Sequence, residues 1–175
     1  MSPISDPFRD EMVALIPRLR RFARALVGSA DAADDLVQLT LERALARAHQ
    51  WQQGTRLDSW LYRIAQNLWI DETRRARRRG VEVDIEEARE MAGTDGRAAM
   101  DQRLRLMDVE RAMTSLPCDQ RAVVALVLIE GLSYGEAAKV LDVPAGTIAS
   151  RLARAKAALE DVLAGTAAGL AGAGT

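Results

Sequence analysis

The sequence predicts an all-α protein built of two small helical domains that are joined by a flexible linker. Three observations lead to this fold class. Alanine, leucine and arginine, which are good helix formers, dominate the 175 residues, and aromatic residues make up only 4% of them. Apolar residues recur at three- and four-residue spacing along most of the chain, which is the period of an amphipathic helix. Over residues 81–103 that period is lost, and acidic residues and glycines replace it.

The loss of the helical period divides the chain into four parts. We predict a first helical domain over residues 1–80, an acidic linker over 81–103, a second helical domain over 104–165 and a disordered tail over 166–175. The net charge is only −1, but residues 1–80 carry 14 basic and 10 acidic side chains, whereas the linker carries 3 and 7. Clustered arginine on one element is typical of a phosphate-binding surface.

Three helices are expected in the first domain. The apolar stripe of the first helix consists of Met12, Leu15, Ile16, Leu19, Phe22, Ala23 and Leu26. Pro17 interrupts this stripe and should start a new helix or kink the first one, because proline lacks an amide hydrogen. Gly28 stops the helix, and Ser29 is a candidate N-cap of a second helix from about residue 31 to 48. The helix dipole favours the aspartates of its first turn, which are Asp31, Asp34 and Asp35.

A loop at residues 52–55 precedes the third helix, which should run from about residue 57 to 79. Its buried face is expected to consist of Leu57, Trp60, Leu61, Ile64 and Leu68. The helix ends in an arginine tract at 74–79, which cannot all be buried because unpaired charge is costly in a core. A solvated helix end, where arginine suits the dipole, explains the tract, and contact with nucleic acid explains it as well.

Aromatic, amide and guanidinium side chains are grouped around this loop and helix. Such a group suits the capture of an unstacked base, and amides can read base edges. The candidate contacts with a DNA strand are Trp51, Gln52, Gln53, Gly54, Thr55, Arg56, Arg63, Asn67 and Arg74. Packing in the core is the alternative for each tryptophan. We expect it for Trp60 and leave it open for Trp51 and Trp69.

The second domain carries a helix-turn-helix pattern. Before it, Pro117 should open an apolar helix over residues 121–130 that Gly131 closes. Ser133 and Glu136 have the spacing of a capping box, a sharp turn follows at 142–144, and a second helix should begin at about residue 145.

In a helix-turn-helix the second helix enters the major groove of DNA. Its candidate DNA contacts are Thr147, Ser150, Arg151 and Arg154. The side chains expected to face inward are Ile148, Leu152, Ala155 and Leu159. The alternative is a helical hairpin with a solvated arginine face.

Together these features resemble the extracytoplasmic-function sigma factors of the sigma-70 family. The resemblance covers roughly residues 15–163. Residues 34–41 look like the polymerase-binding segment of the family, and residues 57–68, with Asp71 and the arginine tract, look like its promoter-melting helix. Leu116-Pro117-x-x-Gln120-Arg121 and the helix-turn-helix look like its second domain.

The resemblance implies a cytoplasmic, non-enzymatic protein that guides core RNA polymerase to promoter DNA. The loop from Trp51 to Arg56, called the tryptophan loop below, would hold a flipped base of the minus-ten element together with Arg63 and Asn67. The second helix of the helix-turn-helix would read the minus-thirty-five element. The polymerase would be bound at its β′ clamp helices and β flap. The residues implied for polymerase binding are Asp34, Asp35, Gln38 and Glu42. An anti-sigma factor would be the usual regulator.

Two departures from the family's pattern bear on polymerase binding and on the promoter sequence that is recognised. Leu39 stands where the family often has an acidic residue, which puts one polar polymerase contact in doubt. Ala149 stands where a basic residue is frequent, so the promoter sequence cannot be inferred.

Other function classes find little support. The chain has one cysteine and one histidine, so neither an internal disulfide nor a Cys/His zinc cluster is expected. We expect no catalytic residue, cofactor, metal site, small-molecule substrate or membrane contact, since there is no glycine-rich phosphate loop and the longest apolar run is eight residues, 122–129. Two rivals remain: a helix-turn-helix regulator, which leaves residues 34–42 without a role, and a sigma-like decoy that sequesters an anti-sigma factor.

Overall fold

The computed structural model describes residues 6–52, 54–79 and 107–172. Regular structure in these ranges is helical, and no strand occurs in them, which confirms the all-α prediction. Gln53, the predicted linker at 81–103 and residues 173–175 lie outside the described residues.

Residues 6–79 form a three-helix unit, called the first unit below. Its helices are α1 (Asp6–Val27), α2 (Ala30–Ala46) and α3 (Leu57–Arg78), with a 3₁₀ turn at Ala48–Gln50. The Ser29 side chain accepts a hydrogen bond from the Ala32 amide at 3.2 Å, which confirms the predicted N-cap of α2. The largest fully buried side chains of this unit include Leu19, Phe22, Leu26, Leu57, Leu61 and Tyr62.

Helix α1 passes through Pro17 without a break, so the predicted start of a new helix at this proline is wrong. A proline removes the hydrogen bond that its amide would donate to the carbonyl four residues earlier, here Val13. Pro17 and Val13 are both exposed, and the lost bond therefore falls on the outer side of the helix. Buried Met12 and Leu19 hold the helix against the core on both sides of Pro17.

Residues 107–172 form the second unit. It consists of α4 (107–115), α5 (Cys118–Val124), a π-helical turn (Ala125–Ile129), α6 (Tyr134–Leu141) and α7 (Ala145–Gly172). The predicted apolar helix at 121–130 is present but changes to the wider π form, in which the Glu130 amide donates to the Ala125 carbonyl at 3.0 Å. Gly131, at φ +72°, ends it as predicted.

The helix-turn-helix is present with its predicted caps. Ser133 Oγ accepts a hydrogen bond from the Glu136 amide at 3.3 Å, and the Glu136 carboxylate accepts one from the Ser133 amide at 2.8 Å. Asp142 ends α6 in the left-handed conformation at φ +55°, which turns the chain toward α7. Ile148, Leu152 and Ala155 are buried on the inner face, and Leu159 is half-buried against the core.

Helix α7 continues to Gly172, into the segment 166–175 for which the sequence predicts a disordered tail. The alanines of this segment are the best helix formers, and they extend a helix that has already been nucleated at Ala145.

The two units are packed against each other. Helix α3 contacts α6, and α1 contacts both α5 and the π turn. Buried side chains from the two units belong to one continuous apolar cluster. The joint between the units therefore bears directly on the candidate DNA contacts that flank it.

Candidate nucleic-acid and polymerase interfaces

The tryptophan loop has an apolar base and a polar rim. Trp51 and Trp60 are half-buried and pack on Phe8, with ring centroids 5.2 Å and 6.4 Å from that of Phe8. Trp69, in contrast, is 8% exposed and belongs to the core. The residues Gln52, Gly54, Thr55 and Arg56 are exposed. A rigid aromatic platform below exposed polar groups is an arrangement that can receive an unstacked base.

Arg56 is fixed at the start of α3 by Asp58. Its Nε and Nη2 donate to the two carboxylate oxygens of Asp58 at 3.0 Å and 2.6 Å. Burial by itself would raise the pKa of Asp58, but hydrogen bonds from Arg56 and the Ser59 amide, together with the charges of Arg56 and Arg18, lower it overall. Asp58 is therefore ionised at neutral pH and holds the guanidinium at the rim of the loop.

The exposed face of α3 carries the other three predicted strand contacts. Arg63, Asn67 and Arg74 are all exposed on this helix. Arg63 and Asn67 also line a cleft of about 390 Å³ between α3 and the second unit, whereas Arg74 does not. The sequence-predicted residues around Trp51 and on α3 thus form two neighbouring exposed patches on the first unit.

The four residues predicted to read DNA on α7 differ in their surroundings. Ser150 and Arg154 are exposed, and Thr147 is half-buried. Arg154 Nε donates to the Ser150 carbonyl at 3.3 Å. Arg151 is directed into the cleft, where its Nε lies 3.0 Å from a carboxylate oxygen of Asp119. Arg154 and Ser150 are therefore accessible in this arrangement, while Arg151 is already paired.

The predicted polymerase-binding residues form an exposed row on α2. The opposite face of the helix packs against the core through four buried residues, which are Ala33, Leu36, Val37 and Thr40. Gln38 donates to Glu42 at 3.0 Å, and Asp34 lies 3.0 Å from Arg20. The residues of this row are Asp34, Asp35, Gln38 and Glu42, and all four are exposed. Leu39, between them, is 51% exposed, which gives the row an apolar centre.

Sequence reasoning missed a cluster of buried charge at the joint between the units. The Glu130 side chain is 0% exposed and accepts hydrogen bonds from the Tyr62 hydroxyl at 2.6 Å and from Arg18 Nε at 3.1 Å. Arg21 lies 3.4 Å from its other oxygen. Arg18 also contacts Asp58 at 3.1 Å. Burial and the bond to Glu130 raise the pKa of Tyr62, which stays protonated and donates. A glutamate at the end of an apolar helix was the only signal of this cluster in the sequence.

Arg121 is a second buried charge at the joint. It donates to the carbonyl oxygens of Leu26 at 2.7 Å and Leu116 at 3.0 Å, and also to that of Thr114. Its guanidinium carbon lies 5.6 Å from the ring centroid of Trp69. Burial lowers the pKa of Arg121. The sequence resemblance singled out this residue without showing that it would be buried.

Among the described residues, no group of three or more histidine, cysteine, aspartate or glutamate side chains is arranged to hold a metal ion. None of the helices in the described part of the chain combines the length and apolar character needed to span a membrane.

Comparisons with known proteins find a sigma-factor family model for each half of the chain. Residues 12–66 match the family model described as the sigma2 domain of PhyR, and residues 106–159 match sigma-70, region 4. The curated ECF RNA polymerase sigma factor EcfG of Rhodopseudomonas palustris is 40% identical over 161 residues, which are 92% of this chain and 87% of that protein.

Two similar solved structures are complexes. The sigma factor RpoE bound to the anti-sigma factor NepR from Bartonella quintana is 32% identical, with a TM-score of 0.74 over 91% of this chain and 98% of that chain. The PhyRSL–NepR complex from Sphingomonas is 26% identical, with a TM-score of 0.58 over 87% and 86% of the two chains.

Proposed function

Because this chain belongs to the extracytoplasmic-function sigma factors of the sigma-70 family, we propose that its two helical units divide promoter recognition between them. The first domain (1–80) holds the minus-ten element and the polymerase, and the second (104–165) reads the minus-thirty-five element. One observation carries this proposal: each unit presents its own exposed arginine surface, at Arg56 and Arg63 on one and at Arg154 on the other. The protein acts by binding, in the cytoplasm where polymerase and DNA are found, and catalyses no reaction of its own.

Run-off transcription from fragments of the host genome tests the function as a whole. Core polymerase is supplied with or without this protein, and the start sites of the transcripts are mapped. A defined set of transcripts that depends on the protein is the expected result. Random initiation equal to that of core polymerase alone would contradict the proposed function.

On the first unit, the proposed minus-ten contacts are the tryptophan loop and α3. Trp51 and Trp60 are braced by Phe8, so these two aromatic rings are held in place before a base binds. A preformed site of this kind costs less entropy on binding than a loop that folds around its ligand. Arg56, Arg63 and Arg74 supply positive charge along the same side of the loop and helix, which suits a displaced single strand.

On the second unit, we expect Arg154→Ala to weaken binding of the holoenzyme to its promoter by about 1–3 kcal/mol, if Arg154 contacts a base. Arg154 is exposed on α7 two turns after the helix start, where a guanidinium can reach the major groove. Lys156→Ala on the same helix is the matched control, because it removes one exposed positive charge at a position not proposed for base reading. Electrophoretic shift with the reconstituted holoenzyme measures both variants. Equal affinities for the two variants would remove Arg154 from the site.

For the polymerase, we expect Asp35→Arg to reduce association with core enzyme by at least tenfold while the helix content stays unchanged. Asp35 is exposed at the start of the row on α2, and reversing its charge places repulsion at an interface that depends on charge complementarity. Glu160→Arg on α7 is the control, since it makes the same charge change on an exposed face outside the row. Core-polymerase binding by fluorescence anisotropy gives the two affinities. Normal association of Asp35→Arg would refute this role.

Control by an anti-sigma factor is the proposed form of regulation. The likeness to a sigma factor solved in complex with its anti-sigma factor supports it. An apolar groove of about 430 Å³ runs between α1 and the second unit and is bordered by Arg20, Arg21 and Arg24, with Val109 and Met113 in its wall. Because Arg20, Arg21 and Arg24 already pair with Asp34, Glu130 and Glu110, it is the apolar wall that complements the apolar face of an amphipathic helix.

A sigma-like decoy is the second candidate. One observation favours it: the family model matched by residues 12–66 is the sigma2 domain of PhyR, and PhyR is solved in complex with NepR. A decoy needs no promoter contacts, whereas this chain keeps exposed arginines on α3 and α7. Binding to an anti-sigma factor together with failure to direct run-off transcription would favour the decoy.

A further inference from the structure

The surfaces proposed to bind the minus-ten and minus-thirty-five elements face each other in the described arrangement. Arg63 and Asn67 of α3 line the same cleft as Arg151 of α7. Carboxylates of the second unit pair with two arginines of the first: Arg56, which is also held by Asp58 of its own unit, pairs with Glu136, and Arg63 lies 3.6 Å from Asp142. Glu136 belongs to the first helix of the helix-turn-helix, and Asp142 is the C-cap of that helix.

This arrangement cannot serve both promoter elements at once. Their centres are about 25 base pairs apart, which is roughly 85 Å of duplex at 3.4 Å per base pair. A cleft of about 390 Å³ is the size of a small-molecule pocket, and it cannot admit a duplex between the two faces. The units must therefore separate before the two elements are bound together.

One side chain is placed to control that separation. Glu130 lies at the C-terminal end of the π turn in the second unit, and its partners come from the first unit: Tyr62 and Arg18 donate to Oε2, and Arg21 lies 3.4 Å from Oε1, which accepts no hydrogen bond from the described residues. Its side chain is fully buried, whereas those of Arg18 and Arg21 are 33% and 56% exposed, so opening the joint brings the carboxylate from a buried contact into water. No proposed contact with DNA or polymerase involves Glu130.

We propose that Glu130 is the latch of a closed state, in which it holds the second unit on Arg18 and Tyr62 of the first and keeps the minus-ten and minus-thirty-five surfaces too close together to bind their elements at once. The proposal rests on the proposed function, because these surfaces are those assigned to the promoter. Opening frees Arg56 from Glu136 and Arg63 from Asp142, since one movement breaks both contacts across the joint, whereas the Arg56–Asp58 and Arg151–Asp119 pairs lie within one unit and remain. The latch couples promoter binding to any partner that stabilises or releases the closed state.

The single cysteine reports on the joint without any added label. Cys118 lies at the start of α5 and lines the cleft between the units, where it is only partly exposed. Separation of the units exposes its thiol to a reagent such as Ellman's. The rate of thiol modification in the full-length protein therefore measures how often the joint opens.

Glu130→Gln removes the charge at nearly constant volume and should raise the rate of Cys118 modification roughly tenfold, with unchanged helix content by circular dichroism. Glu160→Gln on the exposed face of α7 is the matched control and should leave the rate unchanged. Arg18→Ala should raise the rate of Cys118 modification as well. In the double variant of Glu130→Gln and Arg18→Ala, the rate should rise by less than the product of the two single increases, because both substitutions remove the same contact. An unchanged rate in a folded Glu130→Gln protein would overturn the proposal.

Tyr62→Phe covers the case in which Glu130→Gln does not fold. It deletes only the hydroxyl that donates to Glu130 at 2.6 Å, and a faster thiol reaction is again expected, with an unchanged rate again counting against the latch. Binding of free Glu130→Gln protein to a promoter duplex identified by run-off transcription is measured in parallel. Faster thiol modification without tighter DNA binding would leave the latch in place and contradict the proposed promoter contacts.

Discussion

Replacing Arg121 by alanine is expected to lower the free energy of unfolding by about 3–5 kcal/mol. The guanidinium donates to three carbonyl oxygens, those of Leu26, Thr114 and Leu116, and a hydrogen bond from a charged donor contributes about 1.5–3 kcal/mol. The variant leaves buried carbonyls without a donor and removes the contact with the Trp69 ring. Two of the three carbonyls belong to the second unit and one to α1, so the loss affects both units and the joint between them.

Urea unfolding followed by circular dichroism measures this effect. Arg111→Ala is the control, because Arg111 is exposed on α4 and its removal should change the free energy of unfolding by no more than about 0.5 kcal/mol. A loss below 1 kcal/mol for Arg121→Ala would show that other donors replace the guanidinium, and it would contradict the structural role assigned to the residue.

Arg121 also shows where sequence reasoning reaches its limit. Features set by neighbours along the chain were predicted: the Ser29 cap, the Ser133–Glu136 capping box, the turn at 142–144 and the start of α7. In each case the interacting groups lie within a few residues, so the spacing alone specifies the contact. The inward face of α7 followed in the same way from its period of 3.6 residues.

The joint between the units could not be predicted by such rules. Glu130 meets Arg18 and Tyr62 across 112 and 68 positions in the sequence, and neither spacing carries a local signal. The same holds for Arg63 and Asp142, which look like solvated charges until the two units are brought together. The pairing of the candidate DNA contacts Arg56 and Arg63 depends on this joint, so the sequence supplied the candidate residues and the tertiary structure determined which carboxylates they meet.

The start of a new helix predicted at Pro17 is wrong for a different reason. A residue with an unfavourable intrinsic preference lies there in a helix that is held by its surroundings. Buried side chains before and after Pro17 outweigh the loss of one hydrogen bond on the exposed side. At the tail, alanines extend a helix that was nucleated 20 residues earlier, and isolated glycines cost only about 1 kcal/mol each.

Shortening Ile148 to alanine is expected to cost about 2–5 kcal/mol and to destabilise the two units together. Ile148 is completely buried at the start of α7, and removing its outer methyl groups leaves a cavity between α6 and α7. Ile148 belongs to the second unit, but buried side chains of both units form one cluster. We therefore expect the loss of free energy of unfolding to destabilise the first unit as well. Leu163→Ala, at an exposed position on the same helix, should have an effect of no more than about 0.5 kcal/mol.

The positions of the natural probes make this coupling measurable. All three tryptophans lie in the first unit, and the single cysteine lies in α5 of the second. In Ile148→Ala, the urea midpoints from tryptophan fluorescence and from Cys118 protection should therefore fall by the same amount. If the tryptophan midpoint stayed at its wild-type value while Cys118 became reactive at lower urea, the units would unfold independently. The joint would then be too weak to hold the two promoter-binding surfaces together, because a joint that does not transmit the loss of a buried isoleucine cannot keep the two units closed.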